Sequence, residues 1–249
     1  PVLQAGEYGK YVGDVTVTLT GKQDGSLVAS YQGKLIPTKG RGKETEADLD
    51  LVLQRTVLDP IKVQLDKRLQ EAIGKVMPND GVEDSKVISD RYIGESAIAN
   101  FMNDAIVERS KFWPTGAVDF AAFNATGMRG VDMKGDLTYD EWYKVMPYAD
   151  EIYIYSITGA QLKEIIEDNA RRVVRPEELA TNGGPLDPNK FIPRGFQHYS
   201  SGIRYEIELG KDALDTKAKK IVVNGKPIET VLDQKFRVAF NSYVANGRE

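Results

Sequence analysis

The sequence predicts a mixed α/β (α+β) fold, a layered domain in which a mixed β-sheet packs against helices. Three observations carry it. Short apolar runs of strand length recur at Val118 to Phe123, Ile152 to Ile157, Ile203 to Glu208, Lys220 to Val223 and Phe236 to Phe240. Between them lie helical patterns at Ser96 to Val107 and Ala160 to Arg171, so strands and helices share one region of the chain. Ahead of both, Pro37 to Lys43 is a Gly- and Lys-rich breaker that sets off a hairpin-like beginning.

Residues 1–40 read as strands and turns. Thr16 to Thr20 alternates with period two, Gly21 to Ser26 turns, and Leu27 to Gly33 is extended again. A piece this small cannot hold a core alone, so it is expected to pack on the rest of the chain or on something beyond it. Residues 41–84 are expected to be linker helices. Leu49, Val52 and Leu53, then Ile61, Leu65, Leu69 and Ile73, recur at helical spacing up to about Val76. Asp59-Pro60 reads as an N-cap followed by proline in the first turn of a second helix.

Residues 85–249 are expected to form the main domain, opening with a strand at Val87-Ile88. The helix from Ser96 should bury Ile98, Phe101, Met102, Ala105 and Ile106. Val118 to Phe123 is read as a short buried strand. Thr138, with Glu141 three residues on, is a capping box for a helix through Val145. Thr158 opens the helix that ends at Arg171. Residues 173–195 hold Pro176, Gly183-Gly184-Pro185, Pro188 and Pro193, and read as a long irregular excursion. Asn224-Gly225, between Val223 and Lys226, is a two-residue hairpin signal.

Composition removes several function classes. The net charge of -4 argues against a nucleic-acid binder. No apolar stretch has the length of a membrane-spanning helix. There are no cysteines, hence no disulfides, thiolate metal sites or cysteine nucleophiles. One histidine, His198, cannot supply a multi-histidine metal site, so no metal or other cofactor is expected in this chain. The opening Pro1-Val2-Leu3 lacks a methionine and reads as a mature or excised piece of a longer protein.

What remains is a recognition pattern. Asn124-Ala-Thr-Gly-Met-Arg129 puts an amide, a small-residue turn and a guanidinium after an apolar strand. Met146-Pro147-Tyr148 puts an aromatic ring on a proline-stiffened corner. An aromatic face for a base and a fork of donors for phosphate or ribose are what a nucleotide site requires. Nothing beside them is suited to hydrolysis.

The order of blocks resembles the C-terminal domain of the 5'-nucleotidase family, which includes UDP-sugar hydrolases and 2',3'-cyclic-nucleotide phosphodiesterases. The blocks are Arg91 with Glu95-Ser96, Asn100 and Asp104, then Asn124-x-x-Gly127-x-Arg129, Gly135-Asp-Leu-Thr138 and Met146-Pro-Tyr148. Ile157-Thr-Gly-x-x-Leu162, Ser201-Gly202 and Asn241-Ser-Tyr243-x-Ala-Asn246-Gly247 follow in the family's order. The start, Pro1 to Gly13, is similar to the last strands of the family's N-terminal metallophosphoesterase domain.

The resemblance implies a division of labour. An N-terminal domain outside this chain would hold two divalent metal ions, and this domain would capture a nucleotide or nucleoside substrate. The linker helices would let it rotate toward the metals. The implied base clamp is Tyr148 and Tyr243. Arg129 matches the arginine of the family's nucleotide-contacting turn, Asn124 the asparagine that opens it, and Gly127 its glycine. Glu249 falls where the family grips ribose hydroxyls with an aspartate. Arg91, one residue out of the usual spacing, and Asp150, two residues past Tyr148, are further contacts. Ala125-Thr126 replaces glycines usual in the turn and should narrow backbone access. Location by resemblance is periplasmic, cell-surface or secreted. The chain alone is expected to be inactive. The alternatives are a ligand-binding or interaction module that kept the fold, and a related hydrolase of a non-nucleotide substrate.

Other signals are discounted. Asn124-Ala-Thr126 is formally a glycosylation sequon, but it lies in the expected turn. Gly42-Lys43 continues into Glu44 and fails as a phosphate loop. His198 with Ser200 and Ser201 lacks an orienting acid. Lys217, Lys219 and Lys220 read as a solvated edge, and Glu164, Glu167 and Asp168 as an exposed helix face.

Overall fold

A computed structural model describes residues 4–5, 9–39, 43, 45–77, 91–129, 133–179 and 194–248. The expected strand at Val87-Ile88, most of the 173–195 excursion, and Glu249 lie outside the described residues. The chain divides into two compact units, residues 1–67 and 68–249.

In the first unit, strands β1 (Tyr11–Gly21) and β2 (Leu27–Pro37) pair antiparallel from Tyr11↔Pro37 to Gly21↔Leu27. Asp24 closes the turn, its Oδ1 accepting from the Ser26 amide at 2.9 Å and the Ser26 hydroxyl at 2.6 Å. The register puts Val15, Val17, Leu19, Leu27, Tyr31 and Leu35 on one face, as period two requires. All six are exposed.

The linker departs from the sequence expectation in two ways. Asp50, not Asp59, is the N-cap, accepting from the Val52 and Leu53 amides at 3.1 and 2.9 Å. Helix α1 (Leu51–Leu53) continues through a π-helical turn, Gln54–Leu58, into α2 (Asp59–Leu69) without leaving helical backbone at Asp59. Proline has no N–H and its ring crowds the carbonyl one turn back, and the wider turn before Pro60 gives that ring room. Secondly, Ile73 is not helical. Ala72–Val76 is a strand, β3, paired antiparallel with β5 (Gly135–Thr138).

The second unit is built on a four-stranded sheet ordered β6-β11-β4-β7. Its strands are β4 (Phe120–Asn124), β6 (Ile152–Thr158), β7 (Gln197–Tyr199) and β11 (Lys235–Asn241). β4 and β11 run parallel, and β6 and β7 run antiparallel to them on either side. A second sheet orders β10 (Lys226–Pro227), β9 (Lys217–Val223) and β8 (Ile203–Glu208). The β9–β10 turn is Asn224-Gly225, both at positive φ, as expected from that dipeptide.

Helices cover both faces of β4. Phe120 and Ala122 enter a cluster with Leu162 and Ile166 of α5 (Gly159–Arg171), together with Val223 and Val238. Phe123 faces the other way, against Ile98, Ala99 and Met102 of α3 (Ala97–Ser110). Burial on both sides is why β4 reads as a continuous apolar run. The expected α3 face is corrected in part. Asn103, buried, takes a core position and donates to the Ala99 and His198 carbonyls at 3.0 and 3.2 Å. Phe101 is 58% exposed and meets Trp142 edge-on at 5.5 Å.

The capping signals at Thr138 and Thr158 form as read. Thr138 and Glu141 close a reciprocal box at the start of α4 (Tyr139–Val145), and Thr158 and Gln161 do so for α5. Motif glycines and acids also have structural causes. A Cβ on Gly159 would lie 2.1 Å from the Val231 carbonyl oxygen. Asp104 accepts the Ser201 amide at 2.7 Å, and Asn100 donates to Glu95 at 2.7 Å.

Candidate functional site

The parallel pair β4–β11 brings two carboxyl ends side by side, the place where ligands bind in open sheets with parallel strands. Each strand ends in a buried asparagine, Asn124 and Asn241, at 2% and 1% exposure. Each then enters a short helical turn, Ala125–Gly127 after β4 and α6 (Ser242–Ala245) after β11. Neither asparagine caps its own turn with its side chain. The side chains bond across instead. Asn241 Nδ2 donates to Asn124 Oδ1 at 2.9 Å and to Asp150 Oδ2 at 3.0 Å. Ser242 Oγ donates to Asp150 Oδ1 at 2.8 Å, and the Ser242 amide to the Glu151 carbonyl at 2.8 Å. Asn124 Nδ2 also donates to the Thr126 hydroxyl.

Beside this network sit Arg129 and Tyr148. The Arg129 amide donates to the Val145 carbonyl at 2.8 Å, fixing the exit from the turn. Its guanidinium lies over the Tyr148 ring, 5.5 Å from Cζ to centroid, and donates to the Tyr148 hydroxyl. Tyr148 remains 45% exposed. Tyr243, partly exposed, is the second residue of α6, next to the Ser242 that bonds Asp150 and Glu151. An exposed ring carrying a guanidinium combines a stacking surface with charged, forked donors.

Other expected contacts are placed inside the frame. Arg91 is 3% exposed, donates to the Met128 carbonyl, and lies 5.0 Å from the Tyr92 ring centroid. It supports the turn from within the core. Asp150 engages Asn241 and Ser242 with its two carboxylate oxygens. Gly127 is required by packing, since a Cβ there would lie 2.6 Å from the Phe123 ring and 3.0 Å from Asn124 Oδ1. Ala125, fully buried with Tyr92, Val173 and Phe196, fills core space. The buried, bonded Asn124 amide also disposes of the sequon. Sequence reading gave Asn241 and Ser242 no role. The available signal was an asparagine ending an apolar strand, found twice.

His198 is buried in the core. Burial holds its pKa down at about 4, so it is neutral, and Nε2 donates to the Arg91 carbonyl at 2.8 Å. Ser200 Oγ accepts the Ala121 amide at 3.1 Å. Among the described residues no group of three His, Asp or Glu side chains could hold a metal ion, and no helix is long and apolar enough to cross a membrane. A cavity of about 730 Å³ opens elsewhere, by Val174, Phe196 and Tyr205. None of its lining residues belongs to the Asn124–Tyr148–Tyr243 group.

Fold and site together define a layered α+β domain with a buried polar network at the end of a parallel strand pair. A family model described as the C-terminal domain of 5'-nucleotidase matches residues 73–249, and the chain belongs to that family. It is 27% identical over 157 residues to a probable 5'-nucleotidase of Treponema pallidum, covering 62% of this chain and 24% of that protein. It is 27% identical over 254 residues to the trifunctional nucleotide phosphoesterase protein YfkN of Bacillus subtilis, covering 99% of this chain and 15% of that one. The crystal structure of a 5'-nucleotidase precursor from Thermus thermophilus shares the fold at a TM-score of 0.55 and 21% identity, over 98% of this chain and 42% of that one. The chain thus spans a quarter or less of these two curated relatives.

Proposed function

We propose that this chain captures a nucleotide or nucleoside for a 5'-nucleotidase-type hydrolase of nucleotide phosphate esters. The observation that carries the reading is the Arg129 guanidinium lying on the exposed Tyr148 ring at the carboxyl ends of β4 and β11. A base stacks on Tyr148 and Tyr243, each such contact worth about 1–3 kcal/mol. Arg129 turns its forked donors to phosphate or ribose oxygens. Glu249 binds ribose hydroxyls. Asn124, Gly127, Arg91 and Asp150 keep these groups in register. The family match supports this assignment, and so does the placement of three polar elements around one strand pair.

Hydrolysis belongs to an N-terminal metallophosphoesterase domain of the same protein, whose two divalent metal ions would activate water. The protein would act in the periplasm, at the cell surface or outside the cell. The present chain then binds and does not hydrolyse. Titration calorimetry with adenosine, AMP, UMP and a UDP-sugar tests the capture role. Binding of at least one, weakened about tenfold in Tyr148→Ala and in Tyr243→Ala, is the expected result. Absence of binding across the panel, or unaltered binding in both variants, rejects the clamp. Metal-stimulated turnover of AMP by the pure chain would reject the division of labour.

A further inference from the structure

We infer that Asn241 is a positioning residue that locks the Asn124–Arg129 turn to the Tyr148–Asp150 loop, so that Arg129 and Tyr148 act as one recognition unit. As a statement about ligand binding this rests on the nucleotide-capture reading. As a statement about the fold it stands alone.

Both Asn241 side-chain hydrogen bonds are donated by Nδ2, to Asn124 Oδ1 at 2.9 Å and to Asp150 Oδ2 at 3.0 Å. A primary amide nitrogen carries two N–H groups and both are used. Asn241 is the last residue of β11, which is fixed on both sides by β6 and β4. At 1% exposure its side chain is held by the sheet it terminates. The two acceptors belong to different segments, one opening the turn that leads to Arg129, the other closing the loop that carries Tyr148. Ser242 ties the loop a second time, through Asp150 Oδ1 and the Glu151 carbonyl. Only a residue with two donors on one planar nitrogen bridges two oxygen acceptors this way. Aspartate in the same volume would set a carboxylate against the Asp150 carboxylate, a repulsion that reversing the Asn124 amide does not remove. Among the described residues Asn241 Oδ1 is buried with no hydrogen-bond partner, so the side chain acts here through its donors.

The test uses the chain as it stands, in three variants. Hydrogen exchange is read at the Arg129 amide, bonded to Val145, and at the Ser242 amide, bonded to Glu151. Asn241→Asp is expected to accelerate both by about tenfold or more, because a charge-assisted bridge is replaced by repulsion. The exchanged pair Asn241→Asp with Asp150→Asn is expected to restore slow exchange. In that pair the amide introduced at position 150 becomes the donor, and Asn124 reverses its own amide between position 241 and Thr126. Asp150→Ala, at a partly exposed loop position, keeps the test decisive if Asn241→Asp does not fold, and it too should accelerate exchange at Arg129. Affinity for whichever nucleotide the wild type binds is expected to fall about tenfold in the single variants and return in the exchanged pair. Unchanged exchange at Arg129 in Asp150→Ala, or no rescue in the exchanged pair, overturns the lock. Loss of the exchange effect and loss of nucleotide binding are separate results. If the wild type binds no nucleotide, the capture reading fails while exchange still decides the lock.

Discussion

Strand β4 passes through two regions held together in different ways. From Phe120 to Phe123 it is fixed by apolar packing on both faces, against α5 on one side and α3 on the other. One residue later, at Asn124, packing gives way to directed polar bonds that reach Asn241, Asp150 and Thr126. Packing is non-directional and tolerates exchange of similar shapes. A buried polar network tolerates little, because each lost partner strands a desolvated group. The interior therefore sets how stable the domain is, and the edge sets where Arg129 and Tyr148 sit.

The comparison breaks most visibly if a core truncation spares stability. Ile166 is fully buried, and Ile166→Ala should cost about 2–5 kcal/mol in urea denaturation, with nucleotide affinity of the folded protein unchanged. His198 adds a pH dependence to the same interior. Its folded pKa of about 4 lies below the usual 6.5, so between those values the unfolded chain binds the extra proton. Stability is full above pH 6.5 and falls by up to about 3 kcal/mol as pH drops to 4. Denaturation midpoints at both pH values should show the fall in the wild type and a smaller one in His198→Asn.

Gly127 stands where the two regions meet. Gly127→Ala must displace the Phe123 ring or the Asn124 amide, so it should cost about 1–3 kcal/mol of stability and weaken nucleotide binding as well. A loss of binding alone would show that the turn moves independently of the core. The smallest expected stability effect is at the edge itself. Tyr148→Ala removes an exposed ring and should change stability by no more than about 0.5 kcal/mol while lowering affinity about tenfold. A large stability loss there would erase the distinction.

Much of this was legible in the chain. Alternation, capping boxes and the Asn-Gly turn are local signals, and each produced its element at Tyr11–Gly21, Thr138, Thr158 and Asn224. Two local misreadings have local causes. Pro60 resembles a helix start because proline is at home in a first turn, yet a π-helical turn lets the helix run through it. Ile73 continues a helical spacing but finds a strand partner in β5 that no short window reveals. The ordered motifs marked the Asn124–Arg129 turn, Tyr148 and Tyr243. They did not separate surface residues from supporting ones, because Arg91 and Arg129 look alike until one is buried against Met128 and the other lies on a ring.

By itself the sequence determined the mixed α/β character, the caps at Thr138 and Thr158, the Asn224-Gly225 turn, and the family. These follow from period, capping chemistry and ordered motifs, all of which act over a few residues. The tertiary structure decided what side chains distant in sequence do to one another. It placed two strand-ending asparagines side by side, turned Asp150 toward Asn241 and Ser242, and made the single histidine a neutral part of the core. Hydrogen-bond geometry and burial depend on which strands lie adjacent, and the order β6-β11-β4-β7 is set by packing across the whole domain.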